Sequence, residues 1–184
     1  MIAEIKKSAE QKMQKSLEAL KLDLGKIRTG RAHTGLLDHV TVDYYGNPTA
    51  INQVANINLA DARTITVAPW EKKMLQPIER AIIAANIGIN PQNDGNIIRL
   101  FLPPLTEERR KELVKRSNAE GEQAKIAVRN IRRDAIEQIK KAQKDGLSED
   151  AAKDAEGAMQ DVTNNFISLI EKHLATKEKE IMSV

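Results

Sequence analysis

The run LTEERRKELVKRSNAEGEQAKIAVRNIRRDAIEQIKKAQK, residues 105–144, decides how this chain folds. Thr106 stands where a helix N-cap is expected, and Glu107 and Glu108 put negative charge into the first turn, where the helix dipole favours it. Apart from Gly121, neither glycine nor proline interrupts the run before Gly146. The sequence therefore predicts one helix of about 40 residues, roughly 60 Å long.

At 100° per residue the run separates into faces. Ala124, Ala127, Val128, Ile131, Ala135, Ile139 and Ala142 recur at three and four, the spacing of a face buried against other helices. A second arc carries cations: Lys111, Lys115, Lys125, Arg129, Arg132, Arg133 and Lys140, with Glu107, Asn118, Glu122 and Ile136 among the residues that interrupt it. The run holds twelve Lys or Arg against seven Asp or Glu, a surplus of five in a chain whose formal net charge is +3. The last forty residues, 145–184, hold four basic and nine acidic groups, and residues 31–104 hold six of each.

A charged helix face can simply be solvated. Solubility alone is served by mixed charge, however, whereas this arc is predominantly of one sign and is rich in arginine. Arginine's rigid fork of donors suits phosphate oxygens, and a long straight edge suits a nucleic-acid backbone better than a small ligand. The acidic last block screens one side of the helix, so the anion-binding surface is expected to be one-sided.

The 184 residues are 41% hydrophobic, 30% charged and 3% aromatic, the composition of a helix-rich chain with an aliphatic core. With no cysteine there is no disulfide or thiol chemistry, which fits the cytoplasm. MIAEIKKSAEQKMQK at the start has acidic residues and no apolar run, so no signal or transit peptide is expected. No stretch approaches the roughly 18 apolar residues of a membrane span.

Ile2, Ile5, Ala9, Met13, Leu17, Leu20, Leu24 and Ile27 predict a first amphipathic helix that ends at Gly30. The pattern then turns to short strands: His39–Tyr45, closed by a turn at Gly46-Asn47-Pro48, then Val54 to Leu59 and Arg63 to Ala68. A short helix is expected from Leu75 to Asn86, with Ile78, Ile82 and Ile83 inward. Asn93-Asp94-Gly95 is a turn before a last strand, Asn96 to Leu102. Trp70 and the Tyr44-Tyr45 pair read as core or rim packing, because no basic residues interleave with them as in a base-stacking platform. Pro103-Pro104 ends this segment. Beyond the long basic helix, Gly146 is a stop and Ser148 a cap for a last helix, whose apolar face is Ala155, Met159, Val162, Phe166, Leu169, His173 and Ile181. His173 reads as a partly buried core histidine, and the tail KEKEIMSV as a fraying end.

Three amphipathic helices cannot stay buried singly, so residues 1–30 are expected to pack with 105–184 and to leave 31–104 as an inserted domain. Gly and Pro at both crossings make relative motion of the two parts an expectation. Catalytic machinery is not legible. There is no GxxxxGK[ST], GxGxxG or HExxH, and the carboxylates lie at ordinary helical spacing with Lys and Arg. No enzyme activity, cofactor or metal is expected. A helical adaptor or self-associating coiled coil is the rival reading; it predicts dimerisation and no affinity for RNA.

Several stretches are similar to the bacterial ribosome recycling factor family, in order and over essentially the whole chain. They are Lys26-Ile27-Arg28-Thr29-Gly30-Arg31-Ala32, Leu36-Leu37-Asp38, Tyr44-Tyr45-Gly46, Gly88-Ile89-Asn90-Pro91, Leu102-Pro103-Pro104-Leu105-Thr106-Glu107-Glu108-Arg109-Arg110-Lys111 and Arg129-Asn130-Ile131-Arg132-Arg133-Asp134-Ala135. The resemblance implies a two-domain α+β protein, L-shaped. An antiparallel three-helix bundle (1–30 and 105–184) would be the rRNA-binding domain and would carry a small inserted β/α/β domain (31–104). It implies a monomeric, non-catalytic, cytoplasmic translation factor without a membrane association. Such a factor binds the large ribosomal subunit (23S rRNA) after termination. With elongation factor G and that partner's GTP hydrolysis it splits the ribosome, so that mRNA and deacylated tRNA are released. It also implies rRNA contact at Arg132 first, with Arg129, Arg133, Arg110, Arg28 and Arg31 beside it; the basic arc adds Lys125 and Lys140. The implied hinge is Thr29-Gly30-Arg31 with Leu102-Pro103-Pro104-Leu105.

Overall fold

The computed structural model describes residues 1–183. Three long helices, α1 (Ile2–Gly25), α3 (Glu107–Lys144) and α4 (Glu149–Met182), and one short helix, α2 (Leu75–Ala84), carry most of the chain. Six strands, β1 (Thr41–Tyr44), β2 (Asn47–Ala50), β3 (Ala55–Asp61), β4 (Thr64–Pro69), β5 (Pro91–Asn93) and β6 (Ile98–Phe101), lie between α1 and α3. The chain divides into two compact units, Met1–Arg28 with Glu107–Ser183, and Thr29–Thr106.

Local chemistry makes α3 and α4 neighbours. Leu147 N–H reaches back to the Ala142 carbonyl (3.0 Å) and Gly146 N–H to that of Gln143 (3.2 Å), the pair of bonds that closes a helix through a left-handed glycine, here Gly146 at φ +113°. Two residues later the Ser148 hydroxyl accepts from Ala151 N–H at 3.3 Å and starts α4, with Glu149 and Asp150 in its first turn. A reversal this tight leaves the two helices antiparallel and packed along their length.

α1 completes the bundle by packing on both partners, its start lying beside the later part of α3, where Ile5 and Ala9 meet Ile131 and Ala135. Met13, Ile139, Met159, Ile170 and Ile181 are almost entirely buried in this unit. At Gly121 the packing is closest. A Cβ there would stand 2.9 Å from Leu174 Cγ and closer still to its methyl groups, so glycine in mid-helix is the seat for Leu174.

In the other unit, β3-β4-β6-β5 form an antiparallel sheet and β1-β2 a separate hairpin. Ile65, Val67, Ile98 and Leu100 point to one side of the sheet and, with Ile51, Ile78 and Ile82, make a second core. Asn58, Thr66, Arg99 and Gln92 pair across the four strands and face away from it.

Several elements differ from the sequence expectation. α1 stops at Gly25: Lys26 N–H shares the Leu22 and Asp23 carbonyls, and Ile27 remains buried beyond the helix, so its apolar spacing outlasts the helix itself. The β1–β2 turn is Tyr45-Gly46, both at positive φ, and Pro48 lies inside β2 opposite Asp43. β5, on Pro91, has no apolar alternation to announce it. α2 ends at Ala84, and Ile83 is 59% exposed rather than inward. The tail does not fray over the described residues: α4 runs to Met182, and Ile181 is wholly buried.

Gly121→Ala tests the α3–α4 seat. Helix propensity alone would add about 1 kcal/mol, but overpacking against Leu174, at about 1–3 kcal/mol, outweighs it. The urea midpoint is expected to fall; a rise would contradict the close packing described.

Candidate nucleic-acid interface

The inner face of α3 is Leu113, Ser117, Gly121, Ala124, Val128, Ala135, Ile139 and Ala142. Ala127 and Ile131, expected on it, are half-buried at its margin. With that side sealed by α1 and α4, the arc beginning at Arg132 and running through Arg129, Lys140 and Arg133 lies on the outer edge.

The candidate cations, on this arc and beside it, fall into three kinds. Arg129 pairs with Glu122 at 3.4 Å and Lys111 with Glu107 at 3.0 Å, both in solvent, where such pairs contribute little and exchange readily. Lys125 is more committed. It reaches across to Glu171 of α4 at 3.2 Å, with only 18% of its side chain exposed.

Arg110 and Arg132 are held by uncharged acceptors instead. Arg132 Nη1 donates to Gln160 Oε1 at 2.5 Å, and Arg110 Nη1 to the Met182 carbonyl at 3.2 Å. In both, Nε is buried without a hydrogen-bond partner. The third kind, Arg133, Lys140, Arg28 and Arg31, is exposed and has no ion pair or hydrogen bond among the described side chains. A ridge of uncompensated positive charge therefore remains on α3, anchored at Arg132 and Arg133, while Lys125 and Arg129 contribute less net charge than their positions suggest. Periodicity could not have found Gln160 or the Met182 carbonyl, because both reach α3 across a helix–helix seam.

The residues near the two chain crossings belong to the smaller unit. Ala32 N–H donates to the Ala62 carbonyl and Leu102 N–H to that of Arg63, both at 2.8 Å, so the incoming and outgoing segments are fixed on the same turn. Asp61 shapes that turn, accepting from Arg63 N–H at 2.8 Å and from the Thr64 hydroxyl at 2.9 Å, and the Arg63 bond is the main cause holding its carboxyl below the ordinary range. Outside these bonds Gly30 sits at φ +75°, where a Cβ would approach Leu105 Cγ to 3.1 Å.

Trp70 and Tyr45 lie at the surface, 62% and 68% exposed. Trp70 Nε1 donates to Asn56 Oδ1 at 3.0 Å, and the Lys73 ammonium sits over the Tyr45 ring at 4.3 Å. Tyr44, half-buried, donates its hydroxyl to Glu71 at 2.6 Å, which raises its pKa. His173 is half-buried on α4. Among the described residues no cluster of three or more His, Asp or Glu is arranged to hold a metal, and no helix is long and apolar enough to cross a membrane.

A family model described as Ribosome recycling factor matches residues 20–182. The chain belongs to the ribosome recycling factor family. It is 65% identical over its whole length to the whole ribosome-recycling factor of Nitrosospira multiformis. It is 61% identical to that of Ralstonia pickettii, covering all of this chain and 99% of the relative. Among solved structures it is similar to a solution structure of the ribosome recycling factor, at 40% identity and a TM-score of 0.77, covering 100% of this chain and 98% of the other. A second likeness, at 41% identity, TM-score 0.63 and full coverage of both chains, is to a chain of the models for the T. thermophilus ribosome recycling factor and the E. coli elongation factor G bound to the E. coli post-termination complex. Family membership and the two-domain α+β fold thus agree with what the sequence motifs implied.

Proposed function

We propose that this protein is a non-catalytic translation factor that grips the large ribosomal subunit of post-termination complexes by its 23S rRNA. With elongation factor G and GTP it splits the ribosome, so that mRNA and deacylated tRNA are released. It acts in the cytoplasm as a monomer, and hydrolysis is the partner's chemistry. The observation that carries the RNA-binding part is the set of α3 cations without a carboxylate partner, Arg132 held by Gln160 with Arg133 and Lys140 beside it, in a chain that aligns with the whole of a ribosome-recycling factor.

Arg132 is the principal contact in this reading, with Arg129, Arg133, Arg110, Arg28, Arg31 and Lys140 around it and Lys125 the least available. The helical unit, Met1–Arg28 with Glu107–Ser183, is the RNA-binding domain, and Thr29–Thr106 is the domain on which the translocase acts. Mechanical work reaches the bundle through Thr29-Gly30-Arg31 and Leu102-Pro103-Pro104-Leu105. Bonds from Ala32 and Leu102 to the Ala62-Arg63 turn support a short pivot, because they restrict freedom to the few residues between each bond and the bundle.

Arg132→Ala should weaken binding to purified large subunits about tenfold or more, as loss of a charged hydrogen bond does, and reduce the slope of log K against log salt by about one. Unaltered affinity across a salt titration would refute the role given to α3. The pivot has its own test. Because the natural chain has no cysteine, spin labels at Ser16→Cys and Asn58→Cys report the distance between the two parts. A broad distribution, narrowed by Gly30→Ala, is expected, and one sharp distance in the unaltered background would rule out a hinge.

A further inference from the structure

Arginine side chains on a solvated helix normally sample many rotamers, and a site must order them before they can grip. Arg132 is already ordered. Its Nε is sealed from solvent with no acceptor, and Nη1 donates to Gln160 Oε1 at 2.5 Å, which leaves the remaining Nη2 end as the free face of the fork. Gln160 is itself held, its Nε2 donating to Asn164 Oδ1 at 2.8 Å one turn further along α4. A relay of two uncharged amides thus runs along α4 and ends on the guanidinium.

The neutrality of the relay matters. For Lys125 and Arg129 the acceptors are carboxylates, Glu171 and Glu122, which fix a cation and cancel its charge together. Gln160 fixes Arg132 and cancels nothing. Arg110 repeats the arrangement about 33 Å away along the axis, with a buried, unpartnered Nε and a neutral carbonyl, that of Met182, on Nη1. A buried donor left without an acceptor is uncommon and costly, so its occurrence at two arginines on one edge of α3 marks a constrained presentation of the fork.

We infer that Gln160, supported by Asn164, is a positioning residue that holds the Arg132 fork ready for a phosphate of the ribosomal RNA while leaving its charge uncompensated. The inference rests on the reading of α3 as the RNA-gripping edge, and the test separates the two. Gln160→Met removes the acceptor at nearly constant volume. It is expected to lower affinity for purified large ribosomal subunits by roughly threefold to tenfold, the cost of re-ordering one side chain on binding. The salt slope should be retained, since no charge is lost. In an Arg132→Ala background the same substitution should cost nothing. Gln160→Glu keeps the bond but cancels the charge, and should reduce the salt slope by about one. In both variants thermal unfolding should stay within a degree or two, and in Gln160→Met the Arg132 Nη resonances, split in the parent, should average. Equal losses for Gln160→Met with and without Arg132, or no loss in either background, would overturn the positioning role. No effect of Arg132→Ala itself would instead overturn the RNA-gripping reading on which it rests.

Discussion

Burial of one side of α3 against α1 and α4 is the constraint on which the rest of the structure depends. A helix of 38 residues has no reason to keep its charges on one edge unless the opposite side is fixed in rotation. Here that fixing is local as well as tertiary. The Gly146 reversal and the Ser148 cap bring α4 back along α3, Gly121 admits Leu174, and Val128, Ala135 and Ile139 are buried on the inner face. Glycine at position 121 lets α3 and α4 approach closely, so there is little freedom to roll. The cationic edge faces outward as a consequence of what is buried behind it.

Charge on that edge is graded by its partners. Carboxylates take up Lys125, Lys111 and Arg129, amide and carbonyl oxygens hold Arg110 and Arg132, and Arg133 and Lys140 stand in solvent. Counting lysines and arginines overstates the field of the first group and misses the order of the second. For a polyanion the second group counts most, since a charge that is fixed and unneutralised loses least on binding. The smaller unit has no comparable ridge. Its sheet turns an uncharged or weakly charged row, Asn58, Thr66, Arg99 and Gln92, away from the core, and its exposed aromatics are engaged with Asn56, Lys73 and Glu71.

Much of this was legible in the sequence where the signal was local. The limits of α3 and α4 follow from a glycine stop and a serine cap that act within a few residues, and the α3 core face follows from a spacing of three and four. Signals failed where structure depends on distant partners. Ile27 carries the helical spacing but lies past the end of α1, since burial and helicity are separate demands. Pro48 reads as a turn residue yet occupies an edge hairpin, where its missing N–H is tolerated. Ile181 sits in a charged tail that reads as fraying, but a single buried side chain holds the end of α4 in the bundle. The site divided in the same way: the basic arc was readable from periodicity, whereas the acceptors on α4 that distinguish Arg132 from Arg129 were not, because nothing in their spacing links residue 132 to residue 160.

The central claim is that this outer edge of α3, and not another face of the bundle, lies against ribosomal RNA. Directed hydroxyl-radical probing tests it most directly, using an iron chelate tethered at Asn118→Cys within the cationic arc or at Gln11→Cys on α1, with each protein bound to large ribosomal subunits. Strong strand cleavage of 23S rRNA from residue 118 and little from residue 11 is the predicted result. Equal cleavage from both positions, or stronger cleavage from residue 11, would contradict the account.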